Sequence, residues 1–90
     1  MITVNRTVQF KKDYKREKRT DPAIEDRLKS VVDLLLSGKP LPTRFSDHPL
    51  SGNWKGYRDC HIRPDLVLIY QKTPDQLTLV RLGSHAEIFG

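Results

Sequence analysis

Cysteine is almost absent from this 90-residue chain: Cys60 stands alone, so no internal disulfide can form. Small extracellular domains usually supplement a modest core with several disulfides, so one cysteine points to a reducing, cytoplasmic setting. Long apolar runs are absent too. The longest, Leu66-Val67-Leu68-Ile69-Tyr70, falls far short of the roughly 20 residues that a membrane-spanning helix requires. The opening Met1-Ile2-Thr3-Val4-Asn5 has no basic n-region and no apolar stretch follows, so neither a signal peptide nor a membrane partner is expected. There is no internal repeat, low-complexity tract or linker. A chain this short holds one sheet and a few helices round a single core, so residues 1–90 are read as one domain.

What is in excess is positive charge, +5 in all. Arg6, Lys11, Lys12, Lys15, Arg16, Lys18 and Arg19 are opposed locally only by Asp13 and Glu17, and the rest of the chain is balanced. A basic segment of this kind suits a polyanion or an acidic protein partner; it also suits a plain solvated helix face. With 37% hydrophobic and 30% charged residues, the chain should be globular rather than disordered.

Ile2-Thr3-Val4 reads as a short strand. Thr7 to Arg19 reads as a helix, with Phe10 and Tyr14 one turn apart facing the core. A second helix is expected from Asp21 as N-cap and Pro22 as its first residue, carrying an apolar stripe of Ile24, Leu28, Val31 and Leu35. Gly38 should end it in a left-handed conformation, and Pro40 blocks its continuation. The two helices, nearly contiguous, should pair antiparallel. Lys39 to Gly56 has prolines and glycines but no helical period, and is expected to be an ordered loop with a functional load. Three strands follow, Tyr57–Ile62, Leu66–Gln71 and Leu77–Leu82, of which the apolar second should be central. The order is β-α-α-β-β-β: an α+β domain in which a two-helix hairpin packs on a small, mainly antiparallel sheet.

The chain has three histidines, His48, His61 and His85, each at the boundary of an element. His61 and Asp65 flank a tight turn and are expected to be neighbours. His85 reaches the same rim if its strand and that of His61 both flank the central one. RNA suits such a set because its 2′-hydroxyl can attack the adjacent phosphorus. The protein then needs a base, an acid and positive charge near the phosphate. Imidazole, with an ordinary pKa of about 6.5, serves as either base or acid near neutrality. Arg81 and Lys55 are candidates for the phosphate, and Trp54, Tyr57 and Phe89 for stacking unpaired bases. Bland readings stand beside these: turn histidines that cap or face solvent, a core Trp54, a turn-forming Asp65, solvated Lys55 and Arg81. A zinc site from the histidines and Asp65 is conceivable, but no pair has the spacing of a helical metal motif. No cofactor or metal is expected.

The segment Asp47-His48-Pro49-Leu50-Ser51-Gly52-Asn53-Trp54-Lys55-Gly56-Tyr57-Arg58-Asp59-Cys60-His61-Ile62-Arg63-Pro64-Asp65 resembles the D-H-x-L-x-G-x-W-x-G-x-R-x-x-H-x-x-P-D pattern of YafQ-type toxins in the RelE/ParE superfamily. The tail Arg81-Leu82-Gly83-Ser84-His85-Ala86-Glu87-Ile88-Phe89-Gly90 is similar to theirs as well. The likeness is specific from Asp47 onward and weaker in the helices. It implies a RelE-like fold and a bacterial type II toxin that cleaves mRNA in the ribosomal A site and is silenced by a cognate antitoxin. The family's catalytic set carries over onto His48, His61, Asp65 and His85, with Phe89 close by. His48 would be the base and His85 the acid, or the reverse, while His61 and Asp65 hold the substrate and its developing charge. Arg81 falls, more loosely, where related toxins place a phosphate-binding arginine, and Cys60 stands where a small residue is usual. Lys11, Lys12, Lys15, Arg16, Lys18 and Arg19 would meet ribosomal RNA or an acidic antitoxin, and DNA would be met only through that antitoxin. Two alternatives remain open. One is a gyrase-poisoning toxin of the same superfamily, whose members are expected to lack this histidine set; the other is a nucleic-acid or protein-binding module without catalysis.

Overall fold

The computed structural model describes residues 2–90. Strand β1, Thr3–Arg6, leads into helix α1, Val8–Thr20. Thr7 caps that helix, its hydroxyl accepting from the Phe10 N–H at 3.0 Å. Helix α2 spans Ile24–Leu36 and buries Ile24, Leu28, Val31 and Leu35, the stripe the sequence presents. Gly38 follows with φ of +76°, as its place after the helix requires. The expected start of α2 at Pro22 needs correction. Asp21 first ends α1, donating its N–H to the Glu17 carbonyl at 2.9 Å. Its carboxylate then accepts from the Ala23 N–H at 3.1 Å across a turn through Pro22, and regular helix begins only at Ile24.

Strands β3 (Arg58–Arg63), β4 (Leu66–Lys72) and β5 (Gln76–Gly83) follow the long loop. Two features are additional to the expected order. His48–Pro49 forms a two-residue strand β2 on the edge of β3, and the tail winds into helix α3, His85–Phe89. The sheet runs β1-β5-β4-β3-β2, with β1 parallel to β5 and every other pair antiparallel. β4 is therefore central, and Leu66 to Tyr70 are all buried.

The two faces of the sheet differ. Cys60, Leu68 and Leu82 sit side by side on one face and join Phe10, Ile24 and Val31 in the core. Each such large aliphatic side chain contributes about 1.5–3 kcal/mol by leaving water. Cys60 is fully buried there, and desolvation pushes its thiol up to about 12, which makes it a packing residue rather than a reactive one. The opposite face carries Val67 and Ile69, also buried, between the polar side chains described next.

β1 is short, and it leaves the outer edge of β5 unpaired beyond Leu79. Helix α1 fills that gap with polar groups. The Thr7 hydroxyl donates to the Val80 carbonyl at 2.8 Å, Asp13 accepts from the Leu82 N–H at 3.1 Å, and Arg16 donates to the Leu82 carbonyl at 3.1 Å. An open strand edge is thereby satisfied by side chains, which also fixes the helix against the sheet.

Candidate active site

Strand register assembles the site. His48 pairs with Asp59, Asp59 with Ile69, and Ile69 with Arg81, so one row crosses four strands on the face away from the main core. The next row on that face holds His61, Val67 and Gly83. His61 lies two residues from Asp59 and so shares its face. Ser84 then caps α3 through a capping box: its hydroxyl accepts from the Glu87 N–H, and the Glu87 carboxylate accepts from the Ser84 N–H. That turn sets His85, the first residue of α3, over the rim. The His85 and His61 rings meet edge to face with centroids 5.1 Å apart.

The three histidines do not share one environment. His48 is exposed, and its Nδ1 lies 2.8 Å from the Ser46 carbonyl. A carbonyl can only accept, so neutral His48 carries its proton on Nδ1 and leaves Nε2 free to take one. Ser46 is the one non-glycine residue with positive φ, +50°, among the described residues. Its neighbour Asp47 accepts from the Arg58 guanidinium at 3.2 and 3.3 Å and from the Tyr70 hydroxyl. These bonds tie the loop to β3 and β4 beside His48. His85 Nδ1 lies 3.2 Å from Asp65 Oδ1. This contact orients the His85 ring, and both groups are exposed. His61 and Asp65, expected to be neighbours across the turn, are linked through His85, which packs on the first and bonds the second. Opposite His61 on β4 is Val67, and the hydrogen bond of Asp65 goes to His85.

Asp59 was not among the residues singled out from the sequence, yet it lies beneath the cluster and is only 2% exposed. His48 Nδ1 is 2.9 Å from Asp59 Oδ1, but the His48 proton points to the Ser46 carbonyl. Oδ1 therefore receives no aligned hydrogen bond from the described residues. Burial pushes this carboxyl above the ordinary range, opposed by the positive potential of His48, His61 and His85. A signal was available: Asp59 and His61 stand two apart on a strand, which puts them on one face.

The other candidates are distributed unevenly. Phe89 is 41% exposed and sits against His85, ring centroids 6.1 Å apart. Trp54 meets both Tyr57 and Phe89 edge on, so these aromatics buttress α3 as a cluster. Lys55 is exposed at the end of the 3-10 turn Gly52–Trp54. Arg81 has its Nε on Asp13 at 2.9 Å, which anchors the guanidinium through one edge. Of the basic residues on α1, Arg16 is drawn into a knot with Asp13, Glu17, Glu87 and the Leu82 carbonyl, and Lys18 pairs with Glu25 at 3.3 Å. Lys11, Lys12, Lys15 and Arg19 are exposed and have no carboxylate partner among the described residues.

Residues 2–90 match the family described as the bacterial toxin of type II toxin-antitoxin system, YafQ. The chain belongs to the YafQ toxin family. One relative, the mRNA interferase toxin YafQ of Escherichia coli K12, is 43% identical over 83 residues, spanning 91% of this chain and 89% of that one. The fold matches YafQ in the crystal structure of the E. coli DinJ–YafQ complex with a TM-score of 0.90 at 40% identity, covering all of both chains. It also matches a metal-bound toxin from Helicobacter pylori, TM-score 0.89 at 41% identity, over 99% of this chain and all of that one. In this member of the YafQ family no three His, Cys, Asp or Glu side chains among the described residues converge to hold a metal ion. Nor is any helix among them long and apolar enough to cross a membrane.

Proposed function

We propose that this chain is a type II toxin that cleaves mRNA in the ribosomal A site by histidine acid–base chemistry and is silenced by a cognate antitoxin. The observation that carries the reading is the rim itself. His61 and His85 meet edge to face, His48 lies in the adjacent row of the same sheet face, and the Nδ1 atoms of His48 and His85 are each held by a defined partner. Membership of the YafQ family and the mRNA interferase activity named for the E. coli relative support it. So does the antitoxin complex of a structurally matched toxin.

In this reading the substrate supplies the nucleophile. His48 Nε2 takes the proton of the 2′-hydroxyl as its oxygen attacks the adjacent phosphorus. The bond from phosphorus to the 5′-oxygen breaks, and His85 gives that oxygen a proton. The products are a 2′,3′-cyclic phosphate and a free 5′-hydroxyl. His85 suits the acid because Asp65 holds its Nδ1 and orients the ring, so Nε2 can present a proton to the leaving oxygen. His48 suits the base because its Nε2 is left free on an exposed ring, with buried Asp59 ready to stabilise the imidazolium that forms. His61, against His85, holds the substrate together with Phe89, and Lys55 and the free edge of Arg81 attract the phosphate. Both proton transfers are assigned to histidines, so no metal or cofactor is required. The exposed lysines of α1 dock on ribosomal RNA or the antitoxin, and DNA is reached only through the antitoxin. The chain acts as one domain in the cytoplasm.

Mapping the 5′ ends of mRNA after brief induction tests the reading. Cuts in phase with the reading frame are expected. Intact mRNA with arrested gyrase, the behaviour of non-nucleolytic superfamily members, would overturn it.

A further inference from the structure

Beside the histidine rim lies a cavity of about 380 Å³, within the size range of small-ligand sites. Its walls include Arg27 and Ser30 of α2, Arg44 and Phe45 of the 3-10 turn Thr43–Phe45, and His61 and Arg63 of β3. No carboxylate lines it. Arg63 is held outside by Asp21 at 2.8 Å and Glu17 at 4.0 Å, so its charge is balanced. Arg27 and Arg44 are exposed and have no carboxylate within ion-pair distance among the described residues. The Arg44 guanidinium lies 4.8 Å from the centre of the Phe45 ring, a contact that steadies an otherwise flexible cation. His61 is the wall common to the cavity and the rim, since its ring also packs on His85.

We propose that this cavity is a nucleotide subsite for the RNA strand. Arg27 and Arg44 bind the phosphodiester next to the one being cleaved, and the Arg44–Phe45 pair offers its face to that nucleotide's base. The inference rests on the RNA-cleaving reading and extends it. An RNA strand carries a negative charge at every nucleotide. A strand that leaves the histidines across His61 brings its next phosphate to this cavity. Two unbalanced guanidiniums with no acid between them meet that charge, with the planar bidentate geometry that suits phosphate. Unpaired bases stack readily on arginine and aromatic planes. An acidic protein segment would match the charge, but it would have no need of a wall shared with the catalytic rim.

The test is single-turnover cleavage of ribosome-bound mRNA by the parent and by Arg27→Gln/Arg44→Gln. Companion mRNAs carry an uncharged methylphosphonate in place of each phosphate flanking the cut, one at a time. Both side chains are exposed, and unchanged thermal unfolding checks that the variant is intact. At one flanking position, loss of the phosphate charge should raise the parent's half-saturating concentration on the order of tenfold. The variant should show the same rise on unmodified mRNA, and the modification should then add nothing, because the two changes remove one contact. The rate at saturation should hold. Additive losses, or no loss in either arm, would overturn the subsite while leaving cleavage by the parent intact. Unchanged cleavage with weakened capture of the antitoxin would reassign the cavity to a protein partner. No cut by the parent on any mRNA would remove the RNA-cleaving reading, and this inference with it.

Discussion

Asp13 and Asp59 are both buried carboxylates of this fold, and their surroundings treat them in opposite ways. Asp13, at the junction of α1 and β5, accepts from Gln9, Arg16, Arg81 and the Leu82 N–H. Burial is the largest single influence on it and favours the neutral acid. The bonds from Arg81, Leu82 and Gln9 together prevail and hold the carboxyl below its ordinary value. Asp59, at the histidine rim, has an oxygen without an aligned donor, and burial dominates and raises it. A satisfied charge holds structure together, and an unsatisfied one stores free energy that chemistry can use. The junction of α1 and β5 is thus the part that holds the fold, and in the proposed function the rim is the part that acts.

The largest effect expected from this contrast is at the rim. His85→Ala should fold normally, since the ring is exposed, and lose cleavage by about 10²–10⁴-fold, the usual worth of a positioned acid or base. Single-turnover rates beside a thermal melt measure both halves. Full activity in the folded variant would break the contrast.

At the junction the loss should fall on stability instead. Asp13→Asn leaves Arg81 without its charge partner and should cost about 3 kcal/mol in urea unfolding, as breaking a buried ion pair does. Protein kept folded in the cold should still cleave, more weakly only as far as Arg81 contributes. Asp59→Asn should do the reverse. It relieves a buried, under-satisfied charge, so its urea midpoint should rise, while cleavage falls at least about tenfold because His48 loses its carboxylate neighbour. A drop in both stability and activity would make Asp59 a second structural acid.

The pH dependence of stability should separate the two further. Asp13 has a folded value below the ordinary 3.8, so its stabilising contribution is present above that value and lost as pH falls through the lowered one. Asp59 has a raised value, so its ionised form costs stability at neutral pH, and the cost is relieved as pH falls through that raised value. Urea midpoints against pH should show a gentler acid loss in Asp13→Asn than in the parent. Asp59→Asn should show its gain near neutrality and lose it in acid. The same gain at every pH would contradict the sign assigned to Asp59.

The smallest effect concerns docking. Reversing Lys11, Lys12 and Lys15 to glutamate should weaken ribosome binding several-fold and flatten its salt dependence, with stability unchanged. Arg16 is best left alone, because in the knot with Asp13, Glu17 and Glu87 it serves the fold. Equal ribosome affinity at low salt would leave those lysines a solvated face.

Local patterns in the sequence carried much of this. The apolar stripe of α2, the helix stop at Gly38, the buried central strand and the Asp47–Asp65 motif were all readable. What was hidden depends on contacts between distant residues. Strand β2 has two residues and exists only through its register with β3. Arg16 and Arg81 read as free cations until the fold brings Asp13 to β5, 68 residues away from Arg81 in sequence. Helix α3 is too short for periodicity to show, although Ser84 and Glu87 stand at capping-box spacing. Asp59 was concealed because an acid in a strand looks solvent-facing until the opposite face proves buried as well.

The claim on which everything else depends is that the rim only moves protons while the RNA provides the nucleophile. The direct measurement places a single 2′-deoxy nucleotide at the mapped cut in ribosome-bound mRNA. The account predicts that cleavage at that position disappears, while the all-ribose message yields a 2′,3′-cyclic phosphate end. Undiminished cleavage at the deoxy position would contradict it.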